Sequence, residues 1–409
     1  MKQSLFLAAA AACLLTACNG TATQDAACEL ERAKATLDTI YARYGVPENC
    51  LLRENHPFNA DYKAGYLASE DQARPNPYSY LWPFSGTLSA ASAILESDPS
   101  YRTVVDERVL PGLAEYLDTV RMPAAYSSYI HSAPASDRFY DDNVWLGIDF
   151  CDLYATTGDE RYLESARMIW RFIESGMDDV LGGGIYWCEQ KKHSKNTCSN
   201  APGTVYALKL HAATKDPHYL EQGKALYAWT RERLEDTTDG LYFDNVSLDG
   251  NISRAKYAYN SGQMVQAGVL LYKATGEEHF LKEAQRTAAA CYDFFFEEFT
   301  PEGGEAFRIL RKGNVWFSAV MVRGLIELYG VDGNATYVDA VRRSLDYAWN
   351  HARDEYGLFE TDFTGADRQS EKWLLTQAAM VEMYARIHRL GLTLSLIHIS
   401  EPTRHLRIS

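Results

Sequence analysis

The stretch Tyr140-Asp141-Asp142-Asn143-Val144-Trp145 sets two carboxylates side by side, with aromatic rings on both flanks. It opens an apolar segment with helical spacing: Val144, Leu146, Ile148, Phe150, Leu153 and Tyr154. Acids at a helix start have an ordinary use, because the free N–H groups and the helix dipole favour negative charge there. That use accounts for one acid well and for two adequately, but it gives the rings no role. Adjacent carboxylates resist simultaneous ionisation, so one keeps its proton. A protonated acid beside an ionised one is what glycoside cleavage by two carboxylates requires. Ring faces beside them suit stacking on sugars. Residue chemistry alone leaves both readings open.

The elements that must position these acids come from a repeat. Acid or Gly-acid turns open a series of helices with polar faces, at Asp98-Pro99-Ser100-Tyr101, Thr157-Gly158-Asp159, Asp216-Pro217-His218, Thr275-Gly276-Glu277 and Asp332-Gly333-Asn334. With Cys28 to Tyr44 this makes six helices of an outer type. Between them lie more apolar helices, expected at 84–96, 141–156, 202–214, 260–274, 314–330 and 372–390. Alternation at a period of about 57 residues, with no sustained strand pattern, predicts an all-α fold, a closed (α/α)6 barrel of six helical hairpins. An open solenoid would carry polar terminal repeats, and none is visible. Gly/aromatic loops precede three inner helices, at Leu181 to Gln190, Gly240 to Asp244 and Tyr356 to Glu360. They gather at the barrel end that holds Asp141 and Asp142, so function is expected there.

The motif resembles the Asp-Asp signature of glycoside hydrolase family 76, the endo-α-1,6-mannanases and their fungal transglycosidase relatives. Gly182-Gly183-Gly184-Ile185-Tyr186-Trp187, Lys195 to Gly203 and Tyr257 to Gln263 resemble further blocks of that family, in the family's order, over residues 28 to 390. The resemblance implies that Asp141 is the nucleophile and Asp142 the general acid/base; the sequence by itself does not order them. It implies sugar contacts for Asn200, Tyr259 and Asn260, although either Asn could equally be a helix cap. Tyr140, Trp145, Tyr186, Trp187, Trp316 and Trp373 are the candidate stacking rings. Consecutive acids favour the carboxyl separation of about 5–5.5 Å that goes with retention. The expected activity is thus retaining, endo-acting hydrolysis of α-1,6-mannan. The alternatives are transglycosylation at the same site and non-catalytic glycan binding. Sugar 2-epimerases share the architecture but place histidines at the barrel mouth; His211 and His388 fall at the far end of inner helices and His193 in a polar loop.

A net charge of −15 argues against nucleic acid and polyanionic partners and fits a neutral glycan. No cofactor is expected, and no metal, because no C-x-x-C, H-x-x-x-H or calcium-loop spacing occurs. A monomer is expected. Residues 1–17 read as a signal peptide, with Lys2 ahead of an apolar run too short to span a bilayer. Leu15-Thr16-Ala17-Cys18 matches a lipobox, so Cys18 is the expected lipid anchor and 18–27 a tether. The location implied is the outer membrane of a Gram-negative cell, at the surface or the periplasmic face. Six cysteines remain for a domain at 28–391; Cys188 with Cys198 is the favoured bridge and Cys28 with Cys50 the second, while Cys151 and Cys291 read as buried thiols. Residues 392–409 resemble translated sequencing-library adapter and are expected to lie outside the native fold.

Overall fold

A computed structural model describes residues 22–68 and 75–400, with side chains described for 28–68 and 75–391. Cys18 and the segment read as a signal peptide lie outside the described residues.

Six inner helices form a closed ring: Leu81–Leu95, Tyr140–Thr157, Thr197–Thr214, Ala258–Thr275, Val315–Asp332 and Leu374–Ser400. Each packs on the next, and the last returns to the first. They are apolar almost all round because both of their sides are covered; every residue of Leu81–Leu95 except Trp82 is buried. The outer helices are amphipathic. In Glu160–Ser175 the buried positions Tyr162, Leu163, Ala166, Ile169, Trp170, Phe172 and Ile173 make one stripe. The first outer helix, Ala22–Tyr44, packs against the last inner one and closes the barrel. It starts inside the segment read as a tether. The last inner helix likewise continues past Gly391 to Ser400, beyond the end of the apolar pattern; the side chains beyond Gly391 lie outside the described residues.

The turns at the far end explain the acidic openings. Four inner helices end on a left-handed residue: Gly158, Lys215, Gly276 and Gly333. Asp98, Asp159 and Asp216 then cap the following segment by accepting from the backbone N–H two residues on. The inner pair Ala258–Thr275 and Val315–Asp332 crosses at two glycines. A Cβ on Gly262 would sit 2.3 Å from the Met321 Cα, and one on Gly324 would sit 2.2 Å from the Gly262 carbonyl oxygen.

One expectation needs correction. The outer element after Asp98 is not one helix. It breaks into a 3-10 turn at Pro99–Tyr101, a helical turn at Arg102–Val104, a π turn at Val105–Val109 and a short helix at Leu110–Ala114. Pro111 supplies a reason, since it has no N–H for the ladder and its ring crowds the preceding turn. Short strands also occur. The hairpin Leu117–Asp118 with Ala125–Tyr126 and the sheet Ser194–Asn196, Phe243–Ser247, Ile252–Lys256 both lie at the loop-rich end.

Candidate active site

The loops at that end are fixed by a recurring device. A polar side chain near the start of an inner helix grips the backbone of the loop that arrives before it. Asn143 accepts from the Tyr126 N–H at 2.8 Å and donates to its carbonyl at 2.9 Å. Asn200 does the same to Ile185, at 2.6 and 2.9 Å. Gln377 does it to Phe359, at 2.7 and 3.0 Å. An amide has one acceptor and two donors in the spacing a neighbouring strand would offer, so each acts as one rung of a ladder. Ser261 makes a single such contact, accepting from the Tyr242 N–H at 3.0 Å. Asn200 is therefore fully engaged behind the loop and outside the cleft.

The loop that Asn200 holds carries Trp187. Its other end is tied by fully buried Arg138, which meets the Glu189 carboxylate through Nε at 2.7 Å and Nη2 at 2.5 Å. The Trp187 carbonyl accepts from the Tyr140 N–H at 2.9 Å. With the main chain locked on both sides, the Trp187 indole N–H reaches Oδ2 of Asp141 at 3.0 Å.

Asp141 and Asp142 lie in the first turn of Tyr140–Thr157 and line a cleft of about 390 Å³. Phe139, which precedes the helix, gives no side-chain cap. The Asp141 carboxylate takes three donors: the indole of Trp187, the Cys198 thiol at 3.3 Å and the backbone N–H of Asp142 at 3.0 Å. Burial raises its pKa to about 6, and those donors restrain the rise. Burial, and then the charge of Asp141, push Asp142 well above the ordinary carboxylate range. Near neutral pH the pair is one carboxylate and one carboxylic acid. The first can attack an electrophilic carbon; the second can protonate a leaving oxygen. The chain's other Asp-Asp pair, Asp178-Asp179, lies away from the cleft, and Asp178 is occupied by Lys195 Nζ and the Tyr186 hydroxyl, both at 2.7 Å.

The candidate rings divide. Trp145, Trp187, Tyr259 and Trp316 line the cleft. Tyr140 does not; it is buried and stacks on Phe172 at 4.6 Å. Tyr186 sits behind the loop with its hydroxyl on Asp178. Trp373 stands one layer back. Its ring packs against Trp82 and Tyr66, and its N–H donates to Glu54 at 2.6 Å. Asn260 is buried beside Asp244, outside the lining.

Sequence reasoning missed much of the wall: Tyr66, Tyr80, Trp82, Phe139, Asn196, Cys198, Asp244, Asn245, Tyr257 and Phe317. Most lie at or just before the first turn of an inner helix, the position that made Asp141 a candidate. Tyr66 carries no such signal. Its place depends on Glu54, whose buried carboxylate accepts from the Tyr66 hydroxyl at 2.7 Å and the Tyr80 N–H at 2.9 Å. The expected Cys188–Cys198 and Cys28–Cys50 bridges are not formed. Cys188 pairs by backbone with Phe139 on one side of the loop, while Cys198 turns in the first turn of Thr197–Thr214 toward Asp141.

The family model for glycosyl hydrolase family 76 matches residues 58–308. A search of curated proteins finds no match. Among solved structures, a family 76 glycoside hydrolase (mannosidase) from Bacteroides thetaiotaomicron is 32% identical, with a TM-score of 0.80 over 90% of this chain and 99% of that one. A second family 76 glycoside hydrolase, from a bovine Bacteroides thetaiotaomicron strain, is 32% identical, with a TM-score of 0.79 over 90% of this chain and 78% of that one. An α-1,6-mannanase of Salegentibacter sp. is 25% identical, with a TM-score of 0.70 over 88% of this chain and 99% of that one. It was solved with α-1,6-mannotriose, as an inactive variant in which two consecutive aspartates are asparagine.

Proposed function

The chain belongs to glycosyl hydrolase family 76 and is a glycoside hydrolase; from that premise we propose that it cleaves α-1,6-mannan backbones internally, with retention of configuration. One observation carries the reading: Asp141 and Asp142 share an aromatic-walled cleft, where three donors reach Asp141 while burial and the charge of Asp141 raise the pKa of Asp142. Asp142 protonates the glycosidic oxygen as Asp141 attacks the anomeric carbon. The C–O bond breaks and a glycosyl–Asp141 ester forms. Asp142, now a carboxylate, takes a proton from the incoming water, which displaces Asp141 and leaves the α-anomer. Adjacency in the chain favours the short carboxyl separation that retention uses. The mannotriose complex of the Salegentibacter enzyme supports the substrate class.

Incubation with linear α-1,6-mannan tests this. Oligosaccharides of intermediate length should form early, and NMR should show the α-anomer before mutarotation. Early release of mannose alone would overturn internal cleavage, and an initial β-anomer would overturn retention. A chain acting on such a polymer needs to reach it, and the lipobox supports anchoring through an acylated Cys18 at the outer membrane. Cys18→Ala should then move the active enzyme from the membrane fraction to the soluble fraction.

A further inference from the structure

Two of the three donors on Asp141 are ordinary N–H groups, the backbone of Asp142 and the indole of Trp187. The third is unusual in kind. Cys198 Sγ lies 3.3 Å from Oδ2 of Asp141, the oxygen that the Trp187 indole also holds. The thiol is 2% exposed and lines the same cleft. The Tyr259 hydroxyl also interacts with that thiol. The Tyr259 ring stacks on Phe317 at 4.0 Å. The three residues come from three neighbouring inner helices.

We propose that Cys198 is a positioning residue for the nucleophile: its thiol proton is committed to Asp141 Oδ2, sets the rotamer of that carboxylate, and favours its ionised form. This rests on the reading of Asp141 as the nucleophile. The protonation state is consistent, because burial beside Asp141 and Asp244 pushes the thiol well above its ordinary range and so keeps it a donor. A thiol donor is soft and weaker than a hydroxyl. It restrains Asp141 without binding it so tightly that attack on the anomeric carbon is penalised. As the glycosyl ester forms, the carboxylate loses its charge, and a weak donor costs little to give up.

Three variants separate this from plain packing. Cys198→Ala removes the donor, Cys198→Ser keeps one, and Cys198→Val fills the volume without one. On an α-1,6-mannooligosaccharide, Ala and Val should move the acid limb of kcat/KM upward by roughly one pH unit and lower kcat by about tenfold, with KM little changed. Ser should restore the acid limb and recover kcat only in part, because a hydroxyl holds the carboxylate more tightly than a thiol does. A wild-type acid limb in Ala and Val overturns the proposal, as does recovery by Val. A second readout does not require turnover. The S–H stretch lost in Cys198→Ala should sit at lower frequency in the wild type than in Asp141→Asn; an unchanged band overturns the proposal even if every cysteine variant folds poorly. If the wild type leaves every mannan intact, the activity reading fails while the infrared comparison still decides the thiol contact.

Discussion

The Trp187 indole N–H donates to Asp141 Oδ2 at 3.0 Å across a separation of 46 residues. That bond joins the loop behind one inner helix to the first turn of another. Arg138 and Asn200 pin the loop on either side of Trp187. Trp187→Phe keeps an aromatic ring, although a smaller one, and deletes the donor. A hydrogen bond to a charged group is worth about 1.5–3 kcal/mol, so kcat/KM should fall roughly tenfold to a hundredfold. The acid limb of the pH profile should rise, because the ionised form of Asp141 loses support. Steady-state kinetics between pH 4 and 8 checks both; a wild-type profile would detach Trp187 from the chemistry.

The pH dependence follows from the pair. Asp141 must be ionised, and its pKa is raised to about 6, so activity should fall as the pH drops through that value. Asp142 must hold its proton, and its pKa stands well above the usual range, so activity should also fall on the alkaline side. The two limbs belong to the coupled pair and not to either acid alone. A bell-shaped kcat/KM profile is expected. Asp142→Asn should abolish the alkaline limb together with a factor of about 10²–10⁴ in rate.

The same carboxyls weigh on stability. A carboxyl whose pKa is raised by folding binds more protons folded than unfolded. Its contribution is fully present below the unfolded value and is lost as pH rises through the folded one. For Asp141 that window runs from the ordinary Asp range up to about 6, and for Asp142 it extends higher. Asp142→Asn puts a neutral amide where the acid is already neutral. The variant should therefore match the wild type in melting temperature near pH 4 and exceed it on the alkaline side. Thermal scans at the two pH values decide this; equal offsets at both would remove the electrostatic cause.

Asn200 was expected to touch sugar, and its geometry gives it a different task. Asn200→Ala removes both rungs to Ile185 and leaves a buried N–H and C=O unpaired, a cost of about 1–3 kcal/mol for each unpaired group. Calorimetry should show that loss. The loop carrying Trp187 should loosen, so kcat should fall further than substrate affinity. An affinity loss alone would return Asn200 to the substrate.

What the sequence could show and could not divides along physical lines. The ring of helices was legible because Ala- and Leu-rich inner segments and striped outer ones leave a strong periodic signal. The acid pair was legible because its residues are adjacent. The tasks of Asn200 and Gln377 were not, because each grips backbone of the preceding loop that only folding brings beside it, and that of Glu54 was not, because it joins Tyr66 and Tyr80 to Trp373 across the closure of the barrel. The bridge expected between Cys188 and Cys198 treated a short polar loop as a simple closure. In the fold that loop pairs with Phe139 and sends the two sulfurs to different neighbours. The broken segment after Asp98 contained its own warning in Pro111, which the repeat pattern overrode.

A last prediction concerns the barrel's centre. Arg323 is 3% exposed and holds Glu382, itself 1% exposed, through Nε at 2.6 Å and Nη2 at 3.0 Å. Arg386 reaches the same carboxylate at 2.6 Å. Asp149 lies 3.8 Å from Arg323, takes the Ser89 hydroxyl at 2.5 Å, and is raised by burial to about 7. These residues join four inner helices where an apolar core would otherwise meet. Removing one partner strands a buried charge, which costs about 3–5 kcal/mol, whereas replacing both with packed apolar groups is often neutral or better. Arg323→Met should therefore unfold at clearly lower urea. Arg323→Met with Glu382→Leu should recover much of the loss, because the surviving Arg386 still has Glu96 and Asp152 nearby. Urea titrations of the single and double variants test this. A double variant no more stable than the single would mean that the cluster holds the ring together by itself and is not merely tolerated within it.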